Sequence, residues 1–155
     1  MAKNIKKVTF DKPCIVSVCS SKNKGESKVP VDRGELIENL GLKGDAHANA
    51  DSTRQVSLLA IESIEKFNAG GFSFGPGDFA ENFTTGGIDL VSLPIGTRLK
   101  IGSNAVVEIT QIGKKCHSDC AIFRQIGKCV MPREGVFARV ITGGSVKKGD
   151  LLEII

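Results

Sequence analysis

The stretch Pro94-Ile-Gly-Thr-Arg-Leu-Lys-Ile101, followed by the strand-like run Ala105-Val-Val-Glu-Ile-Thr-Gln-Ile112, decides the fold. Its first part sets a Gly-polar turn ahead of alternating side chains, and Lys147-Lys-Gly-Asp-Leu-Leu-Glu-Ile154 carries the same arrangement. Both runs read as hairpin entries of a closed or nearly closed sheet rather than as a true repeat. Working outward, Cys14-Ile-Val-Ser-Val-Cys19 reads as a short buried strand, and Val29-Pro-Val31 as an edge strand, where proline is tolerated. Arg54 to Leu58 and Gly135 to Ile141 read as further strands, the latter ended by Thr142-Gly-Gly144. Glu35 to Leu40 suggests one or two helical turns stopped by Gly41. The clearest helix runs from Leu59 to Asn68: Leu59, Ala60, Ile64 and Phe67 share one side, while Glu62, Glu65 and Lys66 cover the other. Ala69-Gly70-Gly71 ends it. Phe72 to Gly87 reads as a long ordered loop, because Phe72, Phe74, Phe79 and Phe83 need burial. Eight or so short strands with one principal helix, and one or two short ones, predict a mainly β fold built as a single β-barrel.

The composition agrees. The chain has 155 residues with 18 glycines and eight phenylalanines but no Trp or Tyr, a balance that favours turn-rich β architecture in one domain, residues 1–155. A chain of this length buries roughly 70% of its unfolded surface and needs no disulfides to hold a core. The net charge of +4 would attract an anionic ligand. It argues against nucleic acid, because stacking aromatics are scarce and the basic residues fall in two loop-like stretches. Met1 to Phe10 lacks the apolar run of a signal peptide, and no stretch approaches the ~18 apolar residues of a membrane span. Five cysteines in such a chain point to free thiols or metal ligation, with the cytoplasm as the expected compartment.

Three of those cysteines and a histidine fall close together in Cys116-His117-x-x-Cys120…Cys129. Lys114, Lys115, His117 and Arg124 lie nearby, and positive neighbours lower a thiol's pKa toward the reactive range. Cys116, where the chain leaves a strand, is the best-placed thiolate to attack a persulfide donor, carry a terminal sulfur or ligate molybdenum. Asp119 and Cys120 open a possible short helix, Ala121 to Ile126, whose N-terminal N–H groups would face Cys116. Zinc held by Cys116, Cys120 and Cys129 is the competing reading, although the spacing lacks paired C-x2-C knuckles. Cys14 and Cys19 read as buried structural thiols.

At this point the chain resembles the MOSC domain family, named for the C-terminal domain of molybdenum cofactor sulfurases. The resemblance rests on Gly44-Asp-Ala-His47, Arg54-Gln-Val56, Gly77-Asp-Phe-Ala-Glu-Asn-Phe83, Gly87-Ile-Asp-Leu90, Leu99-Lys-Ile-Gly102, Ile109 to Cys116 and Gly135 to Ile141. It implies a stand-alone bacterial MOSC protein with a barrel like that of pyruvate kinase and a key cysteine at Cys116. It also implies the molybdenum cofactor as ligand, and a partner cysteine desulfurase, the bearer of pyridoxal phosphate, as sulfur donor. Cofactor-biosynthesis or acceptor proteins are the implied recipients, and a molybdenum-dependent reductase of N-hydroxylated compounds is a further alternative. Gly-Lys-Lys-Cys-His departs from the Arg-x-Pro-Cys context of the reductase-like relatives.

The remaining polar residues carry two readings each. Asp45 and His47 either orient a ligand or cap a glycine turn. Arg54 either binds phosphate or lies on a solvated face. Glu81 and Asn82, if buried, would bond backbone and hold the long loop over the cofactor site. Arg133 and Arg139 are weaker anion candidates, with His117 beside the thiol. Lys22, Lys24 and Lys28 read as a solvated loop.

Overall fold

The structure, a computed structural model, describes residues 10–113 and 134–155. Among them the fold is mainly β. The first half holds β1 Cys14–Ser20, β2 Val29–Val31, β3 Arg33–Ile37, β4 Gly41–Leu42, β5 Val56–Ala60 and helix α1 Ile61–Asn68. The second half holds β6 Phe83–Gly86, β7 Arg98–Ile101, β8 Ala105–Ile112, β9 Val136–Thr142, β10 Gly144–Lys147 and β11 Leu152–Ile154. A 3-10 turn at Leu90–Ser92 lies between β6 and β7. None of the described helices is long and apolar enough to cross a membrane.

Eight strands form one sheet in the order β11-β7-β8-β9-β5-β6-β1-β2, and β10-β3-β4 form a smaller one. All pairings are antiparallel except β5 with β6, which α1 connects. The sheets are open, so the single closed barrel expected from the sequence goes beyond the ladders observed. The reason lies in β1, whose far half, Val18 to Ser20, pairs with β2. Only its beginning meets the β11 side, through the Cys14–Leu151 bridge and the Ile15 N–H donating to the Asp150 carbonyl at 2.8 Å.

β8 explains how these strands bury one face. Ala105, Val107 and Ile109 point inward, while Val106, Glu108 and Thr110 alternate outward. The inward residues join Ile15, Val18, Leu58, Phe83 and Val136 in the main core. A fully buried Phe or Leu in such a core contributes about 1.5–3 kcal/mol over an exposed one. β5 is buried on both faces. Its Leu58 enters the main core, and Leu59 packs on the other side with Ile64, Phe79 and Phe137.

That second layer corrects the helix boundary: Leu59 and Ala60 end β5, and α1 begins at Ile61. Two further expectations change. Glu35 to Leu40 is not helical, because Arg33–Ile37 pairs with β10 on one side and β4 on the other, sinking Leu36 into the core. Non-local pairing outweighs a weak local helical preference there. The run from Phe72 to Gly87 is a loop only as far as Asn82, since Phe83–Gly86 forms β6 between β1 and β5. Phe67 of α1 and Phe72, Phe74 and Phe79 of the loop pack ring against ring with centroids 5.0–6.0 Å apart, and Asn68 clamps Phe74 through both its backbone N–H and carbonyl. β9 ends at Thr142 as expected, and after Gly143 the chain opens β10 at Gly144.

Candidate functional site

The C-terminal end of β1 organises two polar networks. Leaving the strand, the Ser20 hydroxyl and the Ser21 N–H both donate to Asp45 Oδ1, at 3.2 and 3.0 Å. Asp45 is brought there by the turn after β4, where Gly44 takes φ 82° and the Ala46 N–H donates to the Ser21 carbonyl at 2.8 Å. The His47 N–H donates to Asp45 Oδ2 at 3.0 Å. The third element is Lys28, whose side chain is fully buried. Its ammonium donates to Asp45 Oδ1 at 2.8 Å and to Ser21 Oγ at 3.0 Å, and lies 3.0 Å from His47 Nδ1.

This overturns the reading of Lys28 as part of a solvated loop, although Lys22 and Lys24 are indeed exposed. The polar loop 21–28 has no apolar anchor, and the buried ion pair ties it down instead. Gly77 makes room for it: at φ 85° it accepts the Lys28 N–H at 2.8 Å, and a Cβ there would collide with the Lys28 carbonyl. Lys28 is therefore the site residue that sequence reasoning missed. The only available signal was an Asp beside a His in a glycine turn with no cation assigned to it.

Burial alone would raise the Asp45 carboxyl's pKa. The Lys28 ammonium and the backbone N–H groups of Ser21 and His47, all within hydrogen-bond length, outweigh it and hold the carboxyl far below the usual range. His47 Nδ1 lies 3.7 Å from Asp45 Oδ2, beyond hydrogen-bond length, and its ring is about a third exposed.

The second network hangs on the neighbouring residue of β1. The Cys19 N–H donates to the Asn82 carbonyl at 2.7 Å, and Asn82 Nδ2 returns to the Cys19 carbonyl at 3.2 Å. Asn82 Oδ1 accepts the Ser57 N–H at 3.0 Å. Asn82 thus clamps β1 and β5 at the entry to β6, the scaffolding role expected of it. Glu81, fully buried, accepts from Thr84 Oγ1 at 2.7 Å through one oxygen, and among the described residues its other oxygen has no partner at full hydrogen-bond geometry. Burial pushes its pKa up.

The other anticipated residues are held elsewhere. Arg54 is exposed, with its guanidinium carbon 5.8 Å from the centre of the Phe137 ring. Arg139 donates to Glu108 at 3.0 Å, opposite Arg98 at 3.2 Å, in register across β7, β8 and β9. The Arg139 hydrogen bond is the main reason the Glu108 carboxyl is held below its ordinary value. A groove of about 380 Å³, lined by Glu62, Ser63, Lys66, Gly87 and Glu134 among others, sits at the opposite end of β1. There Cys14 pairs with Gly86, and the Gly87 N–H donates to Glu62 at 2.8 Å. Cys116, His117, Cys120, Cys129 and Arg133, and with them the proposed zinc ligands and the short helix, lie outside the described residues.

The described thiols do not suit sulfur or metal chemistry. Cys19 is fully buried, and desolvation pushes its pKa up to about 11. Cys14 is half-buried and also raised, chiefly by burial. Among the described residues no cluster of His, Cys, Asp or Glu could hold a metal ion.

The chain belongs to the MOSC domain family, whose model matches residues 43–153. Its fold is similar to that of the YuaD protein from Bacillus subtilis, with TM-score 0.77 and 18% identity over 92% of this chain and 94% of that one. YiiM from Geobacillus stearothermophilus is similar at TM-score 0.73 and 22% identity, covering 92% of this chain and 75% of that one. YiiM from Escherichia coli gives TM-score 0.62 and 23% identity, covering 90% and 67%. No curated protein matches the chain by sequence. Membership ties the chain to functions related to the molybdenum cofactor.

Proposed function

We propose that this single-domain chain handles sulfur for the molybdenum cofactor in the cytoplasm, with Cys116 carrying a persulfide or ligating molybdenum. The observation that carries this reading is the chemistry of the thiols. Cys14 and Cys19 are buried to differing degrees and held protonated at neutral pH, so a reactive thiolate must come from Cys116, Cys120 or Cys129. Of these, Cys116 stands where the family resemblance puts its key cysteine. The cofactor would supply a metal centre that accepts sulfur or electrons, with Cys116 as soft ligand. The described residues suit its phosphate, since the His47 ring offers a polar edge at the surface of a fixed turn. Exposed Arg54 and Arg139, with His117 beside the thiol, add positive charge for an anionic ligand. Glu81 and Asn82 act through the scaffold.

In the carrier reaction the Cys116 thiolate attacks the outer sulfur of a donor persulfide. The donor's S–S bond breaks, its electron pair leaves on the donor thiolate, and Cys116 holds the new S–S bond. An acceptor thiol repeats the attack and releases Cys116 as thiolate. The donor is a pyridoxal-phosphate-dependent cysteine desulfurase, and the recipients are cofactor-biosynthesis or acceptor proteins. We also read the Cys14–Leu151 bridge as the seam along which the open sheet approaches a barrel.

The test is intact mass after incubation with a cysteine desulfurase and cysteine. Wild type should gain one sulfur, and Cys116→Ser should gain none while Cys120→Ser and Cys129→Ser still do. A gain that survives Cys116→Ser, or near-stoichiometric zinc bound through all three cysteines, would overturn the reading.

A further inference from the structure

We infer that Lys28 is a positioning residue that fixes the His47 ring with Nε2–H outward, making His47 a standing hydrogen-bond donor to a phosphate or similar oxyanion. The inference deepens the proposed cofactor-phosphate role of His47, but it stands on the geometry of this cluster alone.

A lysine ammonium has three N–H donors and accepts nothing. Two of those donors are used on Asp45 Oδ1 and Ser21 Oγ, and the third meets His47 Nδ1 at 3.0 Å. Nδ1 must then be the acceptor, and a neutral imidazole that accepts at one nitrogen carries its hydrogen on the other. The competing arrangement puts the hydrogen on Nδ1 and donates it to Asp45. Two facts oppose it. The Nδ1–Oδ2 separation is 3.7 Å, and Asp45 already accepts from Ser20, Ser21, Lys28 and the His47 backbone.

The segments that carry this cluster are rich in exposed positive charge. The loop that carries Ser21 and Lys28 also carries the exposed Lys22 and Lys24, and Lys43 is exposed just before the glycine turn. Opposing charges are Glu26, whose Oε1 accepts the Asn23 N–H, and Glu35, 3.9 Å from Lys43. The buried pair itself sums to zero, so it orients the imidazole without repelling a ligand. A salt bridge serving only to tie two loops together would not need its third donor aimed at a half-exposed ring.

The experiment exploits the presence of only two histidines in the chain. In His117→Gln protein labelled with 15N, the His47 ring nitrogens report the tautomer directly, at mildly alkaline pH and without any change at the cluster. We expect an unprotonated Nδ1 and a protonated Nε2. Titration with inorganic phosphate should move the Nε2 resonance, and His47→Gln should weaken phosphate binding on the order of tenfold, as for loss of a charge-assisted hydrogen bond. Lys28→Met, in protein shown to be folded by its backbone amide spectrum, should hand Nδ1 to Asp45 and move the hydrogen there. A hydrogen on Nδ1 in wild type, or phosphate that leaves Nε2 unmoved, overturns the inference, and the first result needs no variant that could misfold. These readouts do not involve Cys116. Phosphate binding with the stated tautomer but no persulfide on Cys116 would sink the proposed function and leave this inference standing.

Discussion

Asp45 and Glu81 are both carboxylic acids taken out of water at the same end of β1, yet their surroundings push them in opposite directions. Asp45, 6% exposed, has an ammonium, a hydroxyl and two backbone N–H groups on its oxygens, and it stays ionised. Glu81, 0% exposed, has the Thr84 hydroxyl on one oxygen and backbone N–H groups of Gly77, Phe79 and its own residue nearby, but burial outweighs them and drives it toward the neutral acid. The comparison teaches that burial alone does not set the charge of a carboxyl group. Asp45 has the Lys28 ammonium against it, whereas the hydrogen bonds that reach Glu81 come from neutral groups and are outweighed by desolvation. It also separates a site built around a permanent charge from one that avoids charge, and only the first projects a polar group, His47, to the surface.

The harshest way to break the comparison is to make Asp45 resemble Glu81. Lys28→Met removes the cation paired with Asp45 and leaves a buried carboxylate uncompensated, which typically costs about 3–5 kcal/mol. Urea unfolding at neutral pH should show a loss of that order, while Lys22→Met and Lys24→Met, on exposed side chains, should each change stability by less than about 0.5 kcal/mol. Equal effects from all three would mean that the buried pair contributes no more than a surface charge.

A smaller effect, with a definite sign, comes from pH. The folded-state pKa of Asp45 is depressed, so its contribution to stability is present above the ordinary Asp value of 3.8 and is lost as pH falls through the folded value. The Glu81 value is raised, so the folded chain holds the proton more tightly than the unfolded one. Its contribution is complete below the ordinary Glu value of 4.5 and declines as pH rises through the folded value. Glu81→Gln should remove that decline and hold stability on the order of 1 kcal/mol above wild type on its alkaline side. Denaturant midpoints measured across the pH range check it; parallel curves for the two proteins would show that Glu81 titrates as it does in the unfolded chain.

How much of this was legible beforehand follows the range of the interactions. β1, β5, β8 and β9 could be read because their apolar runs lie within single strands. β3 could not, since its strand character comes from partners about a hundred residues away in β10. Asp45, His47, Glu81 and Asn82 stood out because glycine turns mark their positions locally. Lys28 did not, because nothing in Glu26-Ser-Lys-Val29 separates a buried lysine from a solvated one. Its role exists only when the β4 turn closes onto the end of β1.

The finest test concerns the residue that aims Glu81 inward. Ala80 sits at φ 65°, in the left-handed region, where a Cβ crowds the following carbonyl at a cost of about 1–2 kcal/mol. The strain persists because both sides of the turn are anchored: the Ala80 N–H bonds the Gly77 carbonyl at 3.0 Å, and Asn82 is clamped to Ser57 and Cys19. Ala80→Gly relieves the strain but gives the unfolded chain more freedom, an opposing effect of about 0.4–1 kcal/mol. The net should be a gain of about 0.5 kcal/mol, read as a higher urea midpoint with an unchanged slope. Asp45 is fixed by its own donors, so the His47 ring resonances should not move. A shift there would mean that the two carboxyl sites are mechanically one, joined through consecutive residues of β1, and the contrast between them would have to be redrawn as a single coupled network.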